Sequence, residues 1–156
     1  MAPASIVLTI HVLCGVLWVG TCASFVLAAS ALNRESDEWR DFALKVAPRI
    51  NRLNLLFAIS IPLTGLGNLY FAGRARGFNF PPQFIGILSA KIVLLLGMAA
   101  ALMAAWAAES SMRHEGPAGN IVLRASRRLV RLYGITVAMG TVALALGLWL
   151  SGTLGG

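Results

Sequence analysis

The chain has 156 residues, 58% hydrophobic and only 12% charged, with 13 Lys and Arg against 6 Asp and Glu for a net charge of +7. Soluble domains average about 45–50% apolar and about 25% charged, so both departures point towards lipid. The length holds one helical bundle, and the basic excess, confined to short loops between apolar runs, suits anionic lipid rather than nucleic acid, for which no motif is present.

Four apolar runs follow one another, roughly Ala4–Leu32, Leu53–Ala72, Gln83–Ala108 and Leu129–Gly152. Crossing the hydrocarbon takes about 20 residues at about 1.5 Å each, and each run is long enough with at most one ionisable residue. Backbone polar groups in lipid must be satisfied internally, so the runs predict helices. The expected fold class is all-α, an integral membrane four-helix bundle in a single domain over residues 1–156. The first run has no Lys or Arg before it and is about twice the usual 7–15 residue core of a signal peptide, so it is expected to be retained.

The first run reads "LTIHVLCGVLWVGTCASF" and carries His11 about 10 Å from its outer boundary. His11, Gly15, Trp18, Cys22 and Phe25 fall within about 40° of one line down the helix. Gly15, one turn from the imidazole, leaves space on that line for a planar group to approach. The bland alternative for His11 is a hydrogen bond to a Ser or Thr hydroxyl on a neighbouring helix. Cys14 and Cys22 stand about 12 Å apart along the axis and cannot bridge.

In "ESDEWRDFALKVAPRINRL", Trp39, Phe42, Val46, Ile50 and Leu53 recur at helical spacing. This predicts an interfacial helix lying on the inner leaflet and interrupted near Pro48. The second run holds "ISIPLTGLGN", where Pro62 and Gly65 are expected to break the helix near mid-membrane and free a carbonyl for Thr64 or Asn68. The third run embeds Lys91 about 12 Å from its start near Gln83, at a depth matching His11 on a parallel helix. A charged lysine there costs at least about 2.5–3.5 kcal/mol, so it snorkels, loses its proton or finds a partner. All six acids lie in or next to loops, which leaves a metal or a carboxylate brought by a ligand. His114 lies in a polar loop beside Glu115 and is read as solvated. Glu109 and the basic residues from Arg124 to Arg131 are read as an interfacial belt.

Lys and Arg number five in the first loop, two in the second and five in the third, with none at the termini. That bias predicts cytoplasmic first and third loops, with both termini on the outer (periplasmic) side. No catalytic triad, phosphate loop, paired carboxylate or zinc spacing occurs, and "HVLCG" is not the covalent haem attachment signature.

Several segments resemble CopD-type membrane domains: "HVLCGVLWVG" their first helix, "RINRLNLLFAISIPLTGLGN" their second, "LSAKIVLLLGMAAALMAAW" their third and "RRLVRLYGITVAMGTVALALGLWLSG" their fourth. The same plan, with a helix-one His and a helix-three "AK", is similar to HemJ-type proteins, b-haem proteins that oxidise protoporphyrinogen IX. The resemblance implies that His11 and Lys91 correspond to their essential His and Lys, in a bacterial inner (cytoplasmic) membrane. The chain departs from HemJ in "VLAASALNRE", in the missing Lys-Pro-Phe-like ending and in the closing "WLSGTLGG". Where CopD domains often carry an acidic residue entering the last helix, it has "RLYG".

Three functions follow as expectations. The first is a haem b-binding membrane protein in electron transfer or redox chemistry, with His11 and Lys91 as iron ligands and Gly15, Trp18 and Gly65 around the cofactor. The second is copper transport or resistance of the CopD type, with a soft site from Cys14, His11 and Met98. The third is an accessory subunit of a larger membrane complex, or a homo-oligomer, packing through the small residues of "GMAAALMAAWAAES". A HemJ-like oxidase is the enzymatic variant of the first. Membrane lipid is the expected partner in every case.

Overall fold

The computed structural model describes residues 3–32, 37–114 and 119–154. They form four helices: α1 (Pro3–Ala31), α2 (Asp37–Ala75), α3 (Pro82–His114) and α4 (Gly119–Leu154). All four are long and apolar enough to cross a membrane. At 29 to 39 residues they run about 43–58 Å, well beyond a hydrocarbon thickness of about 30 Å. Large exposed apolar side chains such as Leu13, Leu56, Leu63, Val93, Leu96 and Leu148 cover the outside of the bundle. The expected loop setting of His114 is not found, since α3 continues to that residue; Glu115 lies outside the described residues.

Around the bundle, α1 packs on α2 and α4, and α3 packs on α4 and α2, while α1 and α3 stand diagonally opposite. Inward positions recur at three- and four-residue steps, the periodicity of a buried helical stripe. On α1 the stripe holds Trp18, Cys22, Phe25 and Ala29. On α3 it holds Met98, Ala101, Leu102, Ala105, Ala108 and Met112. Ala101, Ala105 and Ala108 therefore serve packing inside the chain, where small side chains let α3 and α4 approach closely, while Ala100 and Ala107 stay exposed.

Two expectations about α2 are overturned. The segment from Trp39 to Leu53 is no separate interfacial helix; it is the first part of a continuous 39-residue helix that runs through both Pro48 and Pro62. Its apolar face turns into the bundle instead of onto a leaflet. Trp39 is 2% exposed, and Ala43 and Ala47 are fully buried. Phe25 on α1 gathers Trp39, Phe42 and Tyr133 of α4 at centroid distances of 4.8–5.8 Å, with Tyr133 edge-on. The Trp39 indole donates to Ser126 Oγ of α4 at 3.1 Å. Aromatic contacts of this kind add about 0.5–1.5 kcal/mol each to area burial, which offsets the backbone bond that Pro48 removes.

The α2–α3 connection is built by its sequence "GRARGFNFPP". Gly77 has a φ of 59°, and the amide of Phe78 donates to the carbonyl of Gly73 at 2.7 Å, the bond pattern that caps a helix with a left-handed glycine. The Phe78 ring lies over Gly73 where a Cβ would stand 2.6 Å away, so only glycine fits there. Pro82 opens α3 at a position whose missing N–H costs nothing, and Phe80 stacks on Phe84 across the entry at 4.7 Å.

Glycines also set helix spacing. A Cβ on Gly140 of α4 would run into the β-branched side chain of Val19, whereas one on Gly97 of α3 meets the flexible end of Met139. Valine has no alternative rotamer to retreat into, and methionine has several. Gly140→Ala is therefore expected to cost about 1–3 kcal/mol by pushing α1 off α4. Gly97→Ala should cost clearly less, and parallel thermal unfolding in detergent makes the comparison.

Candidate functional site

His11 is half-buried on α1. Its Nδ1 lies 3.1 Å from the carbonyl of Ile61 and 2.9 Å from Oγ1 of Thr64, both on α2. A carbonyl only accepts, and the single Thr64 proton is already directed to Ser60 O at 2.7 Å. The network thus assigns the ring proton to Nδ1 and leaves the lone pair on Nε2. The hydrogen bond to a Thr hydroxyl that counted as the bland account of His11 is present. It is also the type of second contact that orients a metal-binding imidazole.

Lys91 lies near enough to His11, across the bundle diagonal, for its charge to act on the imidazole. The other two helices contribute glycine at this level. A Cβ on Gly65 of α2 would sit 3.4 Å from the His11 ring, and one on Gly147 of α4 would sit 2.9 Å from Nζ of Lys91. One layer of the bundle therefore holds an imidazole, an amine and two positions without side chains. The acid nearest to Lys91 along its own helix, Glu109, is 18 residues on, about 27 Å along the axis.

The rest of the expected site is distributed differently. At Gly15, Leu144 of α4 comes to 3.5 Å from where a Cβ would stand, an ordinary packing contact between α1 and α4. Trp18 is fully buried in the apolar core, two turns from His11, and its indole N–H has no hydrogen-bond partner. The break expected at Pro62 and Gly65 is absent, and Thr64 bonds the carbonyls of Ser60 and Ile61. Cys14 and Cys22 are both free, and Cys22 Sγ accepts from Asn54 Nδ2 at 3.3 Å. Among the described residues no three His, Cys, Asp or Glu side chains converge.

A second polar region, which the reading of ionisable residues missed, lies towards the other end of the bundle. Tyr133 of α4 donates to Asn51 Oδ1 at 2.8 Å, and Asn51 Nδ2 donates to Glu109 Oε2 of α3 at 2.7 Å. Three residues on, Asn54 Oδ1 accepts from Thr21 of α1 at 2.9 Å. Asn51 and Asn54 are 1% exposed and Glu109 6%, so Glu109 is an interior residue and not part of a surface belt. The arginines 124, 127, 128 and 131 are exposed on α4 and line a shallow groove among themselves. The missed signal was the stripe Ala43, Ala47, Asn51, Asn54, Ala58, which places both amides on the inward face of α2.

Comparisons with protein-family models, with curated proteins and with solved structures find no match to this chain.

Proposed function

We propose that this chain is an integral membrane protein of the bacterial inner membrane that binds haem b and serves electron transfer or redox chemistry, with both termini on the periplasmic side. The reading is supported above all by one observation: an imidazole whose Nδ1 proton is tied to α2, whose Nε2 lone pair is left for a metal, and whose nearest ionisable neighbour across the diagonal is a lysine. Iron needs a neutral imidazole nitrogen in a low-dielectric setting, and that tautomer supplies it.

The residues present fit such a group in kind. His11 would be the axial ligand, oriented by Ile61 O and Thr64. Lys91 would either complete the coordination as a neutral amine or meet a propionate. Gly65 and Gly147 keep side-chain atoms away from both groups. When bound, haem supplies a one-electron couple; the chain holds it, excludes water and sets its surroundings.

The test is the visible spectrum of the detergent-purified protein, before and after haem is added. A Soret band that saturates at one haem per chain supports the reading, and a protein that stays colourless with haem in excess ends it. Orientation has a separate test, in a background with Cys14 and Cys22 replaced. Asn79→Cys is expected to react with a membrane-impermeant thiol reagent from outside, and Ser36→Cys only after the membrane is opened. The reverse pattern would invert the topology.

A further inference from the structure

Four exposed arginines of α4, Arg124, Arg127, Arg128 and Arg131, line a shallow groove of about 320 Å³ at the end of the bundle away from His11. Their spacing puts all four on one helix face, where like charges repel one another. No Asp or Glu occurs anywhere along α4 to balance them. Arg127 has a partner of its own, whereas Arg124, Arg128 and Arg131 pair with no acid among the described residues. On α2, which packs Trp39 against Ser126 of α4, Asp41 is paired with Lys45 at 3.4 Å and Glu38 makes no ion pair. Three positive charges are thus carried over about 10 Å of helix without a counter-charge among the described residues.

The same face continues as an apolar track. Ile135, Ala138, Val142 and Ala145 lie within about 50° of the line through the arginines, and all four are exposed. The track ends at the exposed Trp149, about 27 Å beyond Arg131, close to a hydrocarbon thickness of about 30 Å. Basic and aromatic side chains at the two ends of such a track mark the two membrane interfaces, which puts the arginine groove among the headgroups of one leaflet. We propose that this face of α4 binds an anionic phospholipid with two phosphates, of the diphosphatidylglycerol class. The phosphates lie on Arg124, Arg128 and Arg131, and the acyl chains run along Ile135, Ala138 and Val142. Arg128 stands about 6 Å from Arg124 and about 4.5 Å from Arg131 along the axis, so two phosphates in a row are each met by a neighbouring pair. Arginine holds phosphate oxygens with paired donors. A lipid with one phosphate balances one charge of the three and leaves the others repelling. A nucleic acid would meet the charges but leave the apolar track unused. The proposal rests on the membrane-spanning part of the proposed function and is independent of haem.

The test is native mass spectrometry of the full chain released from phosphatidylcholine nanodiscs that also hold diphosphatidylglycerol and phosphatidylglycerol, matched in total charge. Failure to enter the nanodisc would overturn the membrane reading and this site with it; entry with equal retention of the anionic lipids overturns the site alone. The expected result is one diphosphatidylglycerol retained per chain, in about tenfold preference over phosphatidylglycerol. Replacing Arg124 and Arg131 together by Gln is expected to remove most of that preference while leaving the unfolding temperature unchanged. Arg74→Gln with Arg76→Gln takes the same charge from the α2–α3 connection and should leave the preference intact. If both pairs of substitutions lower retention equally, net charge and not this groove holds the lipid. A parallel arm offers inorganic pyrophosphate in phosphatidylcholine-only nanodiscs. Failure to bind at millimolar concentration supports the lipid source, and retention there would overturn it in favour of a soluble anion. A short duplex RNA should likewise leave the bound lipid in place, and displacement by it would overturn lipid as the occupant.

Discussion

His11→Ala is expected to abolish the Soret band of the haem-loaded protein while the bundle remains assembled. The imidazole is the one group in its layer with an oriented nitrogen lone pair, because Nδ1 is committed to Ile61 O and Thr64. Truncation also removes those hydrogen bonds, yet the acceptors belong to α2 and stay within its helix, so the stability cost is only about 0.5–1.5 kcal/mol. Circular dichroism should therefore be unchanged when the colour is gone. Thr64→Val keeps the ring and one of its two acceptors; loss of such an outer contact typically weakens metal binding about 10-fold or more, so the band should persist with lower affinity. Lys91 is resolved by paired variants. If the amine is the sixth ligand, Lys91→Met retains some haem with a shifted spectrum. If it meets a propionate, Lys91→Arg leaves the spectrum as in the wild type. A band of full intensity in His11→Ala would remove His11 from the site.

The helices were legible because their signal is additive: about twenty apolar residues without a charge leave lipid-facing helix as the only economical structure. That Lys91 lies near enough for its charge to act on His11 was legible for a related reason. In a bundle of near-parallel helices, depth along the axis follows directly from residue number. The azimuth of each helix was harder to read. Gly15 falls on the same line as His11 and Trp18, yet the neighbour beside it is Leu144, a residue of another helix that no pattern on α1 announces. Trp39 and Phe42 carry the alternation of an interfacial helix, and the same alternation serves equally for a helix that extends the core. What decides is the partner, here Phe25 and Tyr133. Pro48 and Pro62 lowered the expectation of a continuous α2 because a proline removes one backbone bond, a local loss that tertiary contacts along a 39-residue helix outweigh. Asn51 and Asn54 escaped notice because they carry no charge, although uncharged amides are the polar groups a bundle interior most readily accommodates.

The interior network gives the largest stability effect. Asn51 is the joint between Tyr133 on α4 and Glu109 on α3: its Oδ1 accepts from one and its Nδ2 donates to the other. Asn51→Leu has nearly the right volume and adds apolar surface, so area burial alone would predict a stabilised protein. Hydrogen bonding predicts the opposite. The substitution takes a donor from a carboxylate and an acceptor from a phenol, both buried, and each such loss costs about 1–3 kcal/mol, more when the group is charged. The sum, about 3–5 kcal/mol, exceeds the roughly 1.5–3 kcal/mol that a buried leucine contributes. A fall in the unfolding temperature is therefore expected for Asn51→Leu. Tyr133→Phe removes only the donor and leaves Asn51 bonded to Glu109, so it should cost less than half as much. Combining the two substitutions should cost less than their sum, since Asn51→Leu has already broken the bond that Tyr133→Phe removes. Unfolding in detergent micelles measures all three variants. If Asn51→Leu proves as stable as the wild type, the amide is not what joins α2 to α3 and α4, and the packing of Ala43, Ala47 and Trp39 must hold that end of the bundle alone.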